Sequence, residues 1–375
     1  MVKIHLIAAA RPNFMKVAPL YHALAAADWS DPRVIHTGQH YDVNMSDVFF
    51  RDLRLPKPAH HLGVGSGSHA EQTGGVMMAY EKVCLADRPD WIVVVGDVNS
   101  TVACSLVGTK LWIPVIHLEA GLRSRDRRMP EEINRLVTDS IADLLWTPSE
   151  DADENLKAEG VPENRIELIG NVMIDSFEMM RSSIEKSSAR EDLGLDRGTY
   201  ALVTLHRPSN VDQAETLRPI VEQLVKVAAR LPVAFVAHPR TVKNLRQFGL
   251  LDRLESNEGI RLLEPLPYVD FMNVATGAAL VITDSGGLQE ETTYLNIPCL
   301  TMRENTERPI TLTQGTNQLV NAQTLDAQVS EVLAGNWKRG VCPPLWDGRA
   351  AERAVANLAV RFGLNKTVRN SAGNL

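Results

Sequence analysis

The sequence predicts an α/β protein built from two doubly wound, parallel-sheet domains, and three observations predict it. Short apolar, β-branched runs recur along the chain and stop at polar or small residues, as at 2–10, 91–95, 113–118, 200–204, 233–237 and 279–283. Helix-like stretches separate them, which is the alternation that builds a parallel sheet with helices on its faces. The same alternation begins afresh after Gly170–Asn171, and 375 residues with 44% apolar content are enough for two cores of ordinary size.

Taken in order, residues 2–10 read as a buried edge-to-core strand rather than a signal peptide, because the run is short and Arg11 follows at once. The turn ARPNFMK then opens a helix carrying residues 19–27, with Arg11 and Lys16 flanking the opening. A cation beside a helix N-terminus is an anion site in outline. A strand at 33–37 ends in GQHYD. Residues 62–73, LGVGSGSHAEQT, show neither helical nor alternating period and read as a mobile surface loop or as a lid that meets a ligand. A helix over 70–85 leads to the stretch that carries the chemistry.

That stretch is WIVVVGDVNSTVACSLVGTKLWIPVIHLEAGLRSRDRRMPEEINR, residues 91–135. Its two apolar runs end in Asp97 and Glu119, and ligands of doubly wound sheets bind at the carboxyl ends of strands, so both should face one crevice. Pro130 suits a first helical position, and Glu131 behind it sits on the positive end of the helix dipole. Each carboxylate alone is explained by a strand-end turn or a helix cap. Three delivered to one place by separate elements point to acid/base work, since crowded like charges raise a pKa toward the useful range.

A helix from 130 to about 145 and a run at 165–169 close the first domain at Gly170–Asn171. In the second, strands at 200–204 and 233–237 lead into His206 and His238, which serve either as hydrogen-bonded structure or as catalytic groups. The strand at 279–283 runs into DSGGLQEE, residues 284–291. Ser285, Gly286 and Gly287 allow a tight turn and bring free N–H groups to a helix start, which is how a diphosphate is held. Glu291, one turn on, is placed to take both hydroxyls of a ribose. A plain helix cap explains the serine and glycines but not the glutamates. The motif is neither a Walker A loop nor G-x-G-x-x-G, which disfavours ATP hydrolysis and nicotinamide chemistry.

Composition excludes other classes. A net charge of −7 gives no basic field for nucleic acid, and no run reaches membrane-spanning length. Cys84, Cys104, Cys299 and Cys342 are widely spaced without a Cys-x-x-Cys pair, which argues for reduced thiols in a cytosol and against a metal site.

With these residues together the chain resembles the non-hydrolysing UDP-N-acetylglucosamine 2-epimerases over nearly its whole length. The matching stretches, in order, are RPNFMK (11–16), GQH (38–40), Gly96–Asp97, HLEAGLRS (117–124), PEEINR (130–135), His206–Arg207, DSGGLQEE (284–291) and TERP (306–309). The resemblance implies a glycosyltransferase B type fold, two Rossmann-like domains with the active site in the cleft between them, and a homodimer. It implies a first domain of 1–170 rejoined by the C-terminal helix, 355–375, with 350–362 the segment that crosses back, and a second domain of 171–354.

The resemblance also implies the reaction: elimination of UDP to a 2-acetamidoglucal and its re-addition with the C2 proton on the other face, with no external cofactor and no metal. Asp97, Glu119, Glu131 and His206 then carry the catalytic roles. Arg11, Lys16, Arg123, Arg207, His238, Ser285, Gly286, Gly287, Glu291 and Arg308 bind the UDP-sugar. Gln39 and His40 are regulatory positions: bacterial members of the family bind a second, activating UDP-N-acetylglucosamine partly through an Arg-Gln pair. Here Ser66 and Gly67 align with that pair, Asp42 replaces a glutamine and Pro208 a second arginine, so an activator site is expected to be weak unless His69 or another loop residue replaces the contacts. An epimerase of a 2,3-diacetamido UDP-sugar, a UDP-sugar glycosyltransferase and a nucleotide-sugar-binding regulator are the competing functions. The carboxylate set has no obvious use in the last two.

Overall fold

The computed structural model describes residues 1–9, 11–38 and 53–364, and it divides into two compact units. Unit 1 comprises residues 1–122, 126–176 and the chain from 347 onward; unit 2 comprises 123–125 and 177–346.

Unit 1 holds a parallel sheet of β1 (Val2–Ala8), β2 (Ser30–His36), β3 (His60–His61), β4 (Trp91–Val95), β5 (Val115–Leu118), β6 (Leu144–Thr147) and β7 (Ile166–Leu168), in the order β3-β2-β1-β4-β5-β6-β7. β1 pairs with β2 on one side and β4 on the other, so the first apolar run is an interior strand and not an edge; Ile4, Leu6 and Ala8 are fully buried. The helices are α1 (Arg11–Ala25), α2 (His69–Ala86), α3 (Asn99–Lys110), α4 (Pro130–Ile141), α5 (Glu150–Ala158) and α6 (Val172–Lys186).

Two sequence expectations need correction here. The loop assigned to 62–73 ends early, because Ser68 and Glu71 form a capping box that starts α2 at His69: the Glu71 amide donates to Ser68 Oγ at 3.3 Å and the Ser68 amide to Glu71 Oε2 at 2.8 Å. The helix expected to run to about 145 stops at Ile141, and Leu144–Thr147 is a strand. Asp143 makes the difference. Its amide donates to the Val115 carbonyl and its carboxylate accepts the Val115 amide, both at 2.8 Å, which docks the segment beside β5 before another helical turn can form.

Unit 2 repeats the plan with β8 (Ala201–Thr204), β9 (Val233–Val236), β10 (Ile260–Leu263), β11 (Leu280–Thr283), β12 (Cys299–Met302) and β13 (Asn317–Val320), in the order β10-β9-β8-β11-β12-β13, all parallel. Its longer helices are α7 (Ala214–Ala228), α8 (Pro239–Gln247), α9 (Tyr268–Gly277), α10 (Gly286–Tyr294) and α11 (Leu325–Leu333); single-turn helices are left unnumbered. α7 shows how pattern becomes packing. Leu217, Ile220, Val221, Leu224 and Val227 recur at helical spacing and are all buried in the core with Val203, Phe235 and Ile282, each side chain contributing roughly 1.5–3 kcal/mol.

The division between units falls inside α6, between Ser176 and Phe177. The chain returns to unit 1 through α12 (Ala350–Arg361), whose first amides, Ala350 and Ala351, donate to the two oxygens of Asp175 on α6 at 3.0 and 2.7 Å. A carboxylate on those orphan donors fixes where the helix begins. Phe362, just past α12, meets Trp29 and Trp91 edge-on at 5.6 and 5.8 Å. Among the described residues no helix is long and apolar enough to cross a membrane. Cys84, Cys104 and Cys299 are buried as free thiols, and Cys342 is exposed.

Candidate active site

Each sheet reverses its winding once, between β1 and β4 in unit 1 and between β8 and β11 in unit 2. Loops leaving adjacent strands at such a switch point run to opposite faces and open a crevice at the strand ends. Of the residues singled out in the sequence, Lys16 and Asp97 stand at or beside the first of these points, and His206, Ser285, Gly286 and Gly287 at the second.

In unit 1 the loop after β1 enters α1, which carries Asn13 and Lys16, and the loop after β4 carries Gly96 and Asp97. Asn13 Nδ2 donates to the Val95 carbonyl at 3.1 Å. Lys16 and Glu119, both buried, form a direct ion pair. That pair abuts Gly96: a Cβ there would lie 3.5 Å from both Lys16 Nζ and Glu119 Oε2. Asp97 is 32% exposed and pairs with Arg135, whose guanidinium is 2% exposed and also binds Glu132 Oε2 through Nε at 3.1 Å and Nη2 at 2.6 Å. Asn134 Nδ2 donates to the Asp97 carbonyl at 2.9 Å.

Asp97 and Glu119 therefore come to one strand-end region, as expected, but each carries its own cation. Alternating charge replaces the crowding of like charges that the sequence suggested. Glu131 lies in the first turn of α4 behind Pro130 at N1, as its spacing predicts, and is exposed. The glutamate that turns inward is Glu132. Glu132, Asn134 and Arg135 were legible only as members of the PEEINR motif; the i, i+3 spacing of Glu132 and Arg135 was the signal for that pair. The Arg11 side chain, Gln39, His40 and Asp42 lie outside the described residues. Arg123 is buried and groups with unit 2.

In unit 2 the hub is Asp284, immediately after β11 and fully buried. It accepts the His206 amide at 3.1 and 3.0 Å, the Arg207 amide at 2.9 Å and Asn210 Nδ2 at 3.0 Å, and its Oδ1 lies 2.9 Å from His206 Nδ1. Burial opposes its charge, yet these donors outweigh burial and hold the carboxyl below the ordinary aspartate range. Arg207 Nε donates to the Asp284 carbonyl at 2.8 Å. His206 is thereby fixed by its own backbone and ring, half-exposed, with the His238 ring 6.2 Å away. Burial, then His206 and Arg240, lower the His238 pKa.

Ser285 precedes α10, and Gly286 is its first residue. A Cβ on Gly286 would stand 2.7 Å from Arg308 Nη1 and from Glu307 Oε1, so a larger residue would push the ends of those side chains aside, and the Arg308 guanidinium lies against the helix start. A helix N-terminus with an arginine beside it is a cradle for an anion. Glu307 anchors the cation side: Arg303 Nη2 lies 2.7 Å away, Arg207 Nη2 3.9 Å, and Arg308 pairs directly. Burial alone would raise the Glu307 pKa, but Arg308, Arg303 and Arg207 hold it far below the usual range. Arg308 Nε also meets Glu290 Oε1 at 2.8 Å.

Glu291 is buried, and its pKa is pushed up to about 7 by burial, against the 2.7 Å hydrogen bond that Tyr268 Oη donates to it; Glu290 nearby adds to the rise. Asp284, Glu290 and Glu307 stood in the sequence only as members of motifs, with no role of their own, and Asn210 and Tyr268 were not singled out. Their roles depend on contacts between segments far apart in the chain.

A family model described as UDP-N-acetylglucosamine 2-epimerase matches residues 22–359. The UDP-N-acetylglucosamine 2-epimerase of Methanocaldococcus jannaschii is 43% identical over 364 residues, covering 94% of this chain and 98% of that protein. A UDP-2,3-diacetamido-2,3-dideoxy-D-glucuronate 2-epimerase of Pseudomonas aeruginosa is 38% identical over 326 residues, covering 86% of this chain and 89% of that one. The crystal structure of the M. jannaschii UDP-GlcNAc 2-epimerase in complex with UDP-GlcNAc and UDP superimposes with a TM-score of 0.88 at 42% identity, covering 96% of this chain and all of the other. With both Rossmann-like sheets, the motifs at their switch points and this likeness across the full length in agreement, the chain belongs to the UDP-N-acetylglucosamine 2-epimerase family.

Proposed function

We propose that this protein is an isomerase that interconverts UDP-N-acetylglucosamine and UDP-N-acetylmannosamine by eliminating and re-adding UDP, without an external cofactor. The observation that carries the reading is the division of labour between the two switch points: a carboxylate and cation set in unit 1, an anion cradle in unit 2. Neither set alone performs a 2-epimerisation. A simple glycosyl transfer uses the cradle but leaves Asp97, Glu119 and Glu131 without a task.

In the forward half-reaction a carboxylate removes the C2 proton, the C2–H pair becomes the C1=C2 double bond, and the C1–O bond breaks with its pair on the UDP oxygen. The C2 proton is weakly acidic, so stabilisation of the departing diphosphate carries much of the barrier. The Ser285–Gly287 turn, Arg308 and the fixed His206 supply it. Re-addition returns UDP to C1 and a proton to the opposite face of C2. Asp97, Glu119 and Glu131 provide donor and acceptor, and the Arg135 and Lys16 partners orient the first two. Incubation with UDP-N-acetylglucosamine followed by NMR tests the reading: UDP-N-acetylmannosamine is expected, and free N-acetylmannosamine or a transferred sugar would replace it with hydrolysis or transfer. Because a relative at 38% identity is named for a 2,3-diacetamido glucuronate, that UDP-sugar is the second substrate to offer.

Glu291 gives this reading a pH signature. Ribose hydroxyls donate to a carboxylate and so favour its ionised form, whereas the free protein holds Glu291 half-protonated near pH 7. Binding of UDP should then release a proton once pH falls below about 7, and over that same range affinity should fall with pH, by up to about tenfold per unit. Calorimetry in buffers of different ionisation enthalpy reads the release. The Glu291→Gln variant should lose the pH slope, and an unchanged slope would remove Glu291 from the ribose site.

A further inference from the structure

Asp139 sits on the buried face of α4 and is 1% exposed, so it cannot reach a substrate. One of its carboxylate oxygens lies 2.5 Å from His117 Nδ1, and the other accepts the Gly121 amide at 3.1 Å. Those two partners bracket Glu119, two residues before it and two after. On its far side the His117 ring reaches the Gly96 carbonyl, Nε2 to O 2.8 Å, and Gly96 is the residue immediately before Asp97.

The backbone between the brackets is strained. Glu119 has φ of +70°, a region that a residue with a Cβ holds only when its surroundings over-determine it. The Trp146 carbonyl restrains one side by accepting the amides of Glu119 and Ala120, each at 3.1 Å. Gly121 restrains the other. Its φ is +81°, its amide goes to Asp139, and its own carbonyl accepts Asn155 Nδ2 at 3.0 Å.

We propose that Asp139 is a positioning residue: through His117 and the Gly121 amide it sets the backbone that presents both Asp97 and Glu119. This rests on the reading of those two carboxylates as the acid/base pair. One buried group then controls the spacing of two groups on different strands, which neither strand fixes alone. Misplacing reacting groups by about 1 Å is enough to lower a rate about a hundredfold.

The test compares Asp139→Ala with Asp139→Asn in the full chain. For the alanine variant kcat should fall about a hundredfold while KM and UDP affinity stay within about threefold, since the nucleotide cradle belongs to unit 2. Asparagine keeps an oxygen for the Gly121 amide and an NH₂ toward His117 Nδ1, and should recover at least about tenfold of the lost rate. Amide hydrogen exchange gives a reading independent of any substrate. Glu119–Gly121 should exchange at least about tenfold faster in Asp139→Ala, with Val93 and Val94 of β4 unchanged. A folded alanine variant with wild-type kcat and exchange overturns the proposal, as does faster exchange spread over all of unit 1, or an asparagine variant no better than alanine. A wild-type protein without epimerase activity would instead overturn the reading of the reaction, and the exchange comparison would then decide the role of Asp139 by itself.

Discussion

Replacing Asp97 by Asn, Glu119 by Gln or Glu131 by Gln is expected to lower kcat at least about a hundredfold each, the scale of a lost acid/base group, while UDP binding persists. The three variants are not equivalent physically. Glu119 and Lys16 are both buried, so Glu119→Gln strands an ammonium without its counter-charge and should also lower Tm. Asp97→Asn is milder, because Arg135 keeps Glu132 as an anion partner. Glu131 is exposed in the first turn of α4, so Glu131→Gln leaves packing intact and any loss of rate is chemical. Steady-state kinetics beside thermal melts separates the effects. Near-wild-type rates in all three would remove the carboxylate assignment, whereas a normal rate in Glu131→Gln alone would confine the chemistry to Asp97 and Glu119.

The second large effect is expected at Asp284. Asp284→Ala leaves the His206 and Arg207 amides without their acceptor inside unit 2 and takes from Asn210 Nδ2 one of its two acceptors, the other being the Met302 carbonyl. Breaking a buried charged hub in this way costs roughly 3–5 kcal/mol. The same substitution frees the His206 ring and the Arg207 amide, while the Arg207 guanidinium keeps the Asp284 backbone carbonyl, so UDP affinity should fall along with stability mainly through His206. The pH dependence has a definite sign. Because the Asp284 pKa is depressed in the folded chain, its contribution is present above the ordinary aspartate value and disappears as pH falls through the lower folded value. The stability gap between wild type and Asp284→Ala should therefore narrow below about pH 4. Urea titrations of both proteins at pH 7 and pH 3.5 measure it, and a constant gap would mean that the Asp284 charge adds nothing to the fold.

Much of the fold and of the candidate site was legible in the sequence, because parallel strands buried on both faces read as apolar runs and because the candidate residues stand at strand ends. Asp97, Glu119, His206 and the DSGG turn all announced themselves in that way. What the sequence did not show is set by contacts between distant segments. Asp143 turns the end of an apparent helix into β6 by pairing with Val115, and nothing local distinguishes it from any other aspartate in a helix tail. The cations opposite Asp97 and Glu119 likewise come from α4 and α1, so the expectation of crowded like charges gave way to ion pairs. Glu131 and Glu132 are adjacent in sequence, and only the phase of α4 decides which of them turns inward. The Ser68 and Glu71 capping box was a local signal and could have placed the start of α2 correctly.

The central claim, elimination of UDP followed by re-addition with a proton from solvent-exchanged carboxylates, is tested most directly in deuterium oxide. The wild-type protein is incubated with UDP-N-acetylglucosamine, and the UDP-sugars are separated and examined by proton NMR and mass spectrometry. The account predicts deuterium at C2 of UDP-N-acetylmannosamine, with 2-acetamidoglucal and free UDP accumulating slowly on long incubation. Epimerised product that retains its original C2 hydrogen, with no glycal at any time, would contradict it.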